Sequence, residues 1–305
     1  MSTTYRAGFI ALIGPPNAGK STFLNTVLGE KIAIVSPKPQ TTRTSITGIH
    51  TTAHEQIVFL DTPGIHVARG RLNRLLVDTA WKALQEANGA ILFLDGAKYV
   101  GHETALERDT KPMLGRLTSM GIPLAVALNK IDQIKPKEVL LSLLAFCSTR
   151  WPGAELVPVS ARTGEGLERL LHVVRDFLPA SDRIFPDDQL STVPVRFLAS
   201  EIIREKLFMV LEQELPYNVA VEIESWEELR EQNMTVVNAI IYTSKNSHKG
   251  MIVGRHGENL KKIGQQSRKE LKDLLGTKVH LELWVKVREG WTEDGQFMHS
   301  LGLGS

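Results

Sequence analysis

Apolar residues gather along the first part of this chain in short continuous runs, set between longer stretches of mixed character. Residues 9–13, 57–60, 124–128 and 156–159 are such runs, with the length and apolar content of strands buried in a parallel sheet. Stretches such as residues 22–28 carry helical spacing instead. The alternation extends from residue 5 to residue 178 and predicts an α/β fold, a mostly parallel sheet with helices on both faces. Residues 46–50 break it. Only residues 51–55 connect them to the run at 57–60, so the two pair antiparallel by a hairpin and the sheet gains one reversed edge strand. The last helix of this part is predicted over 167–178, with Leu167, Leu170, Leu171, Val174 and Leu178 on one face and Pro179 as its stop.

Residues 180–189 contain Ser, Pro and three Asp with little apolar periodicity, and read as a linker. The pattern then changes. Residues 202–211 are helical, 219–223 and 236–242 are strands, helices flank 254–257, and 280–287 alternates as a strand. The predicted organisation is an α/β domain over residues 1–179, the linker over 180–189 and a smaller α+β domain over 190–305.

The junction after the first strand carries the sharpest chemistry. Gly14, Pro15, Pro16, Asn17, Ala18, Gly19, Lys20 and Ser21 form a Gly-x4-Gly-Lys-Ser loop, and Thr22 follows in the helix. A Gly-rich turn between strand and helix lets successive backbone N–H groups point into one concavity, which suits phosphate oxygens; Lys20 adds a mobile positive charge, and the Ser21 hydroxyl can hold a magnesium ion. Asp61, Thr62, Pro63 and Gly64 close the 57–60 strand. Asp61 there can reach the metal through water, and Gly64 leaves its N–H free to approach a γ-phosphate. Alone, this tetrapeptide would read as a β-turn. Asn129, Lys130 and Asp132 follow the 124–128 strand and supply base recognition: a carboxylate accepts from the ring N–H and the exocyclic amine of guanine, a donor pair that adenine lacks. Lys130 can lay its stem along the base, and Ser160 and Ala161 can offer backbone N–H groups to the guanine carbonyl. Together these motifs describe a site for GTP or GDP with Mg2+.

The segment Lys38, Pro39, Gln40, Thr41, Thr42 and Arg43 resembles the switch region of the Era family, within the translation-factor class of GTPases. That resemblance implies that Thr42 ligates magnesium, with Thr41 as the alternative, and that Lys20, Asn17, Thr42 and Gly64 serve catalysis. Many GTPases carry Gln directly after Asp-x-x-Gly to orient the attacking water. Here the position is Ile65, so intrinsic hydrolysis should be slow or assisted from elsewhere. Related GTPases with Asn at the position of Asn17 and an apolar residue after the Gly use that Asn to bind K+, which makes potassium a candidate cofactor. His66 is nearby and titratable, and an isolated loop His is usually only solvated.

Net charge is +2 over 305 residues, but its distribution is uneven. From residue 244 to 272 there are eight Lys or Arg against Glu258 and Glu270, an excess suited to phosphate contact. It surrounds Gly254, Arg255, His256 and Gly257. A Gly-x-x-Gly between two helices lets backbone approach backbone and clamps a few nucleotides of single-stranded RNA. Lys249, Lys261 and Lys262 are the basic candidates beside it. Ile252, Val253 and Ile263 could line a groove for bases or be plain core. The α-β-β-α-α-β order resembles the type II K-homology fold, and the sequence of the two domains resembles the Era family over essentially the whole chain. The resemblance implies a GTP-hydrolysing switch that binds the 3′ end of small-subunit ribosomal RNA and acts in 30S subunit assembly, with peripheral association at the inner face of the cell membrane as a further property.

Composition, 42% hydrophobic and 23% charged, is that of ordinary globular material. Cys147 stands alone, which excludes an internal disulfide framework and points to a reducing compartment. No run approaches the roughly 18 apolar residues of a membrane span, so the expected location is cytoplasmic. Two other functions fit part of the pattern: a GTPase subunit serving RNA modification, which would need a nucleophile such as a Cys near the terminus, and a peripheral membrane-signalling GTPase, for which the basic run alone would suffice.

Overall fold

A computed structural model describes residues 4–68 and 70–303. Residues 1–3 and 304–305, the outer ends of the two expected domains, lie outside the described residues. The chain divides into two compact units: the first reaches Thr192, and the second comprises Val193 onward together with Ile34–Thr41 and Gly70–Leu72.

In the first unit β1 (Arg6–Ile13), β2 (Ile46–Thr51), β3 (Glu55–Asp61), β4 (Gly89–Asp95), β5 (Leu124–Asn129) and β6 (Glu155–Pro158) form one sheet in the order β2-β3-β1-β4-β5-β6. Every neighbouring pair is parallel except β2 with β3, which run antiparallel with Thr51 opposite Gln56. The reversed edge strand is thus where the short 51–55 connection demands it, since a parallel crossover needs a dozen or more residues. The helices are α1 (Lys20–Leu28), α2 (Gly70–Glu86, of which Asn73 onward belongs to this unit), α3 (Gly96–Tyr99), α4 (Glu103–Met120), α5 (Leu140–Arg150) and α6 (Leu167–Arg175). α6 ends three residues before its expected limit, yet Leu178 remains buried with Leu167, Leu170 and Val174. One core packs β1, β4 and β5 side chains such as Ile13, Leu92 and Val126 against Leu84, Leu106 and Cys147.

The stretch read as a linker is stitched to the edge of this sheet. Ala180 bridges Arg6, and Ser191 bridges Gly48. The amide of Ile49 donates to the Leu190 carbonyl at 2.8 Å. Gln56, fully buried, accepts from the amides of Ile184 and Phe185 through Oε1 and donates to the Phe185 carbonyl through Nε2. One side chain thereby satisfies three backbone groups, and the open edge of β2 is covered. Apolar periodicity cannot reveal such an attachment, because polar atoms make it.

The second unit contains α7 (Val195–Val210), β7 (Val219–Leu229), β8 (Met234–Thr243), α8 (Asn246–Val253), α9 (Glu258–Leu275), β9 (Lys278–Val287) and α10 (Gly295–Ser300). β7 pairs antiparallel with β8, and β8 parallel with β9. α7 begins seven residues before the expected start, immediately after Pro194. Its buried Glu201, Arg204, Glu205 and Lys206 hide the apolar period, while Leu198, Ala199 and Ile202 pack against Val237 and Leu271.

Candidate nucleotide site and Gly-x-x-Gly loop

The phosphate loop owes its shape to left-handed residues. Asn17 has φ 61° and Gly19 φ 96°; a Cβ at Gly19 would lie 2.1 Å from the side-chain nitrogen of Asn129, so no other residue fits there. Gly14 is similarly required, since its Cβ would meet the Phe93 carbonyl oxygen at 2.3 Å. α1 starts at Lys20, which places the loop at a helix N-terminus, the preferred setting for phosphate. The buried Lys20 ammonium donates to the carbonyls of Gly14 at 3.4 Å and Pro15 at 3.3 Å.

Three hydroxyl or carboxylate oxygens converge beside it. Ser21 Oγ donates to Asp61 Oδ2 at 2.5 Å and lies 2.9 Å from Thr42 Oγ1. Thr41 does not join them, because its hydroxyl is 2.6 Å from Ser36 Oγ and donates to the Lys38 carbonyl at 2.8 Å. Of the two threonines left open by the sequence, the structure brings Thr42 to the site. Burial pushes the Asp61 carboxyl up to about 6 and the Lys20 ammonium down to about 8, and their mutual attraction opposes both shifts. Among the described residues Asp61 Oδ1 is buried without a hydrogen-bond partner. A cluster of hard oxygens with one orphaned carboxylate oxygen suits Mg2+. Thr62 faces elsewhere: its buried hydroxyl donates to the Leu12 carbonyl at 2.7 Å and fixes the strand end.

On the base side, Asn129 acts as a strut. Its amide nitrogen donates to the Ala18 carbonyl at 2.8 Å, and its oxygen accepts from the Ala161 amide at 2.9 Å. Asp132 accepts from the Ser160 hydroxyl at 2.7 Å and from Arg162 Nη2 at 2.6 Å. The backbone N–H groups of Ser160 and Ala161, expected to face guanine, both have partners within the protein. The Ser160 amide donates to the Glu165 carbonyl at 2.8 Å, and that of Ala161 is held by Asn129. What Ser160 contributes is its hydroxyl, oriented on Asp132. Lys130, at φ 66°, pairs with Asp95 at 2.6 Å. The sequence reading missed Asp95, although it closes an apolar strand in the same way as Asp61.

In the second unit Gly254, His256 and Gly257 all have positive φ, 77°, 50° and 80°, and the turn presents Arg255 and His256 to solvent. A Cβ at Gly254 would lie 2.9 Å from the backbone nitrogen of Asn259, whose side chain braces the loop by donating to the Met251 carbonyl. Lys249, Lys261 and Lys262 are exposed, and Val253 is half-buried. Ile252 and Ile263 are 0% exposed and sit in the core with Ile203 and Val285. Ile252 is therefore a packing residue and not a base contact, and the same holds for Ile263.

Residues 9–130 match the 50S ribosome-binding GTPase family, and residues 214–292 match the KH domain family. The GTPase Era of Nitratidesulfovibrio vulgaris strain DP4 is 50% identical over 301 residues, covering 99% of this chain and 98% of its own length. The chain belongs to the Era family of GTPases. The GTPase Era of Trichlorobacter lovleyi is 44% identical over 98% of both chains. A crystal structure of Era in complex with MgGDPNP and nucleotides 1506–1542 of 16S ribosomal RNA superposes with a TM-score of 0.92 at 35% identity, covering 98% of this chain and 99% of that one. As in the family, a GTPase domain with a mostly parallel sheet precedes a K-homology domain.

Proposed function

We propose that this Era-family GTPase binds GTP with Mg2+ in the first unit, binds the 3′ region of 16S ribosomal RNA through the Gly254 to Gly257 loop, and serves 30S subunit assembly. The observation that carries the nucleotide part is the convergence of Ser21, Thr42 and Asp61 beside the buried Lys20. These three residues would hold magnesium, which when bound offsets charge on the phosphate oxygens. Lys20 and the loop amides neutralise the phosphates, Gly64 offers its N–H to the terminal one, and Asp132 selects guanine. Ile65 is 1% exposed within the sheet core, so the residue that replaces the usual Gln is turned away from the phosphates and can orient no water. A monovalent cation held at Asn17 is our reading of what compensates.

The RNA part is supported by the relative solved with 16S ribosomal RNA and by the basic, left-handed Gly-x-x-Gly turn. The boundaries 1–179, 180–189 and 190–305 remain our proposed division. Among the described residues no helix is long and apolar enough to cross a membrane. Membrane association at the inner face is a separate arm of the test. The full chain with GTP is titrated with a single-stranded RNA carrying the 16S 3′ end and with anionic vesicles. Tight RNA binding that is lost in the Arg255→Asp, His256→Asp double variant, with basal GTPase intact, is expected. Equal RNA binding by the double variant overturns the loop assignment, and preference for vesicles would favour the signalling alternative.

A further inference from the structure

A glycine cannot be held by packing of its own side chain, so an orientation at Gly64 must be imposed through backbone atoms. Three such constraints are present. The Gly64 α-carbon is pressed on the phosphate loop, where a Cβ would lie 2.7 Å from the Cα and N of Pro16. The N–H of the Gly64–Ile65 peptide donates to the Gly14 carbonyl at 3.0 Å. The carbonyl of the same peptide lies 2.8 Å from His66 Nδ1. A carbonyl only accepts, so Nδ1 is the protonated nitrogen of the ring. The peptide is thus gripped at both ends of its dipole, with the anchor of Ile65 in the core fixing the chain beyond it.

We propose that His66 is a positioning residue for the γ-phosphate: its Nδ1–H holds the Gly64 carbonyl, which limits rotation at Gly64 and keeps the Gly64 N–H, in the preceding peptide, directed at the terminal phosphate. The inference rests on the reading of Gly64 given above. GDP lacks the group that Gly64 would meet, so the clamp acts on GTP affinity and turnover and leaves GDP affinity alone. Ordering a glycine in advance removes an entropic cost that binding would otherwise carry.

The test uses the full chain with magnesium, measuring affinity for GDP and for a non-hydrolysable GTP analogue together with kcat and KM for GTP. His66→Ala should weaken the analogue about five- to tenfold, the loss of one half-buried hydrogen bond, with GDP unchanged. Asn places an N–H donor where Nδ1 stood, and Gln places one near Nε2. His66→Asn should therefore restore analogue affinity, and His66→Gln should not. Restoration by Gln and not Asn would mean that the outer ring nitrogen acts on substrate or water, which overturns the proposal. So would a GTP-to-GDP preference in His66→Ala within about twofold of the parent. Gly64→Ala separates the two layers, with its GDP affinity as the control for the pressure that the new Cβ puts on Pro16. If it loses the analogue while His66→Ala does not, only the clamp fails; if it is neutral, the γ-phosphate reading of Gly64 fails.

Discussion

Asn129 donates from its side-chain amide to the backbone carbonyl of Ala18 across 2.8 Å, while its amide oxygen holds the Ala161 N–H at 2.9 Å. A residue expected at the base site also ties the phosphate loop to the loop after β6. Asn129→Ala should weaken GDP and GTP equally, by about tenfold or more, since two buried hydrogen bonds are lost and the groups left behind are unsatisfied. Titration calorimetry with both nucleotides checks this. Asn129→Asp should be worse, because it sets a carboxylate against the Ala18 carbonyl.

Asp132 accepts hydrogen bonds from both neighbours, the Ser160 hydroxyl on Oδ1 and Arg162 on Oδ2, and each oxygen keeps a second lone pair with which to accept from a base. Asp132→Asn replaces one acceptor with a donor. The variant should lose preference for guanine nucleotides and gain it for xanthine nucleotides, whose carbonyl accepts where the guanine amine donates. Competition binding with the two diphosphates measures the switch, and undiminished guanine selectivity would remove Asp132 from the base site.

Asn17 sits at φ 61° in the phosphate loop, and the core position of Ile65 leaves the usual water-orienting place without a hydrogen-bonding side chain. Replacing sodium by potassium at constant ionic strength should raise the GTPase rate, and Asn17→Ala should erase the difference. Equal rates in the two salts for the parent chain would assign the compensation to another group.

Cys147 is fully buried in the first core, and burial pushes its thiol from an ordinary value near 9 up to about 12. Native protein should resist thiol reagents at pH 8 and react only on unfolding. Between pH 9 and 12 the unfolded chain releases a proton that the folded chain retains, so stability falls with rising pH across that window. Cys147→Ala should remove this contribution while costing about 1 kcal/mol at neutral pH for the lost packing. Urea titrations of both proteins across the range give the comparison.

Much of the fold was legible because sheet layers leave a period in the sequence. The reversed β2 followed from the brevity of the 51–55 connection, and the α-β-β-α-α-β order from the switch between helical and strand spacing. α7 was only half visible, since the charged residues at 201, 204, 205 and 206 are buried among partners that no periodicity announces. The segment at 180–189 read as free because its attachment runs through Gln56 and main-chain atoms.

By itself the sequence determined which chemistry the chain carries: Gly-x4-Gly-Lys-Ser between a strand and a helix marks a phosphate loop, and Asn-Lys-x-Asp at a strand end marks a base site. The tertiary structure decided which atoms do it. It chose Thr42 over Thr41, turned Asn129 into a strut, withdrew Ile252 and Ile65 into the core, and engaged the backbone N–H groups of Ser160 and Ala161. Most of these depend on contacts between residues distant in the chain, such as Asn129 with Ala18 and Ser21 with Asp61; the Ser160 amide, held by Glu165, is the local exception. Local propensity fixes where a side chain starts, but only packing and hydrogen-bond satisfaction fix where it points.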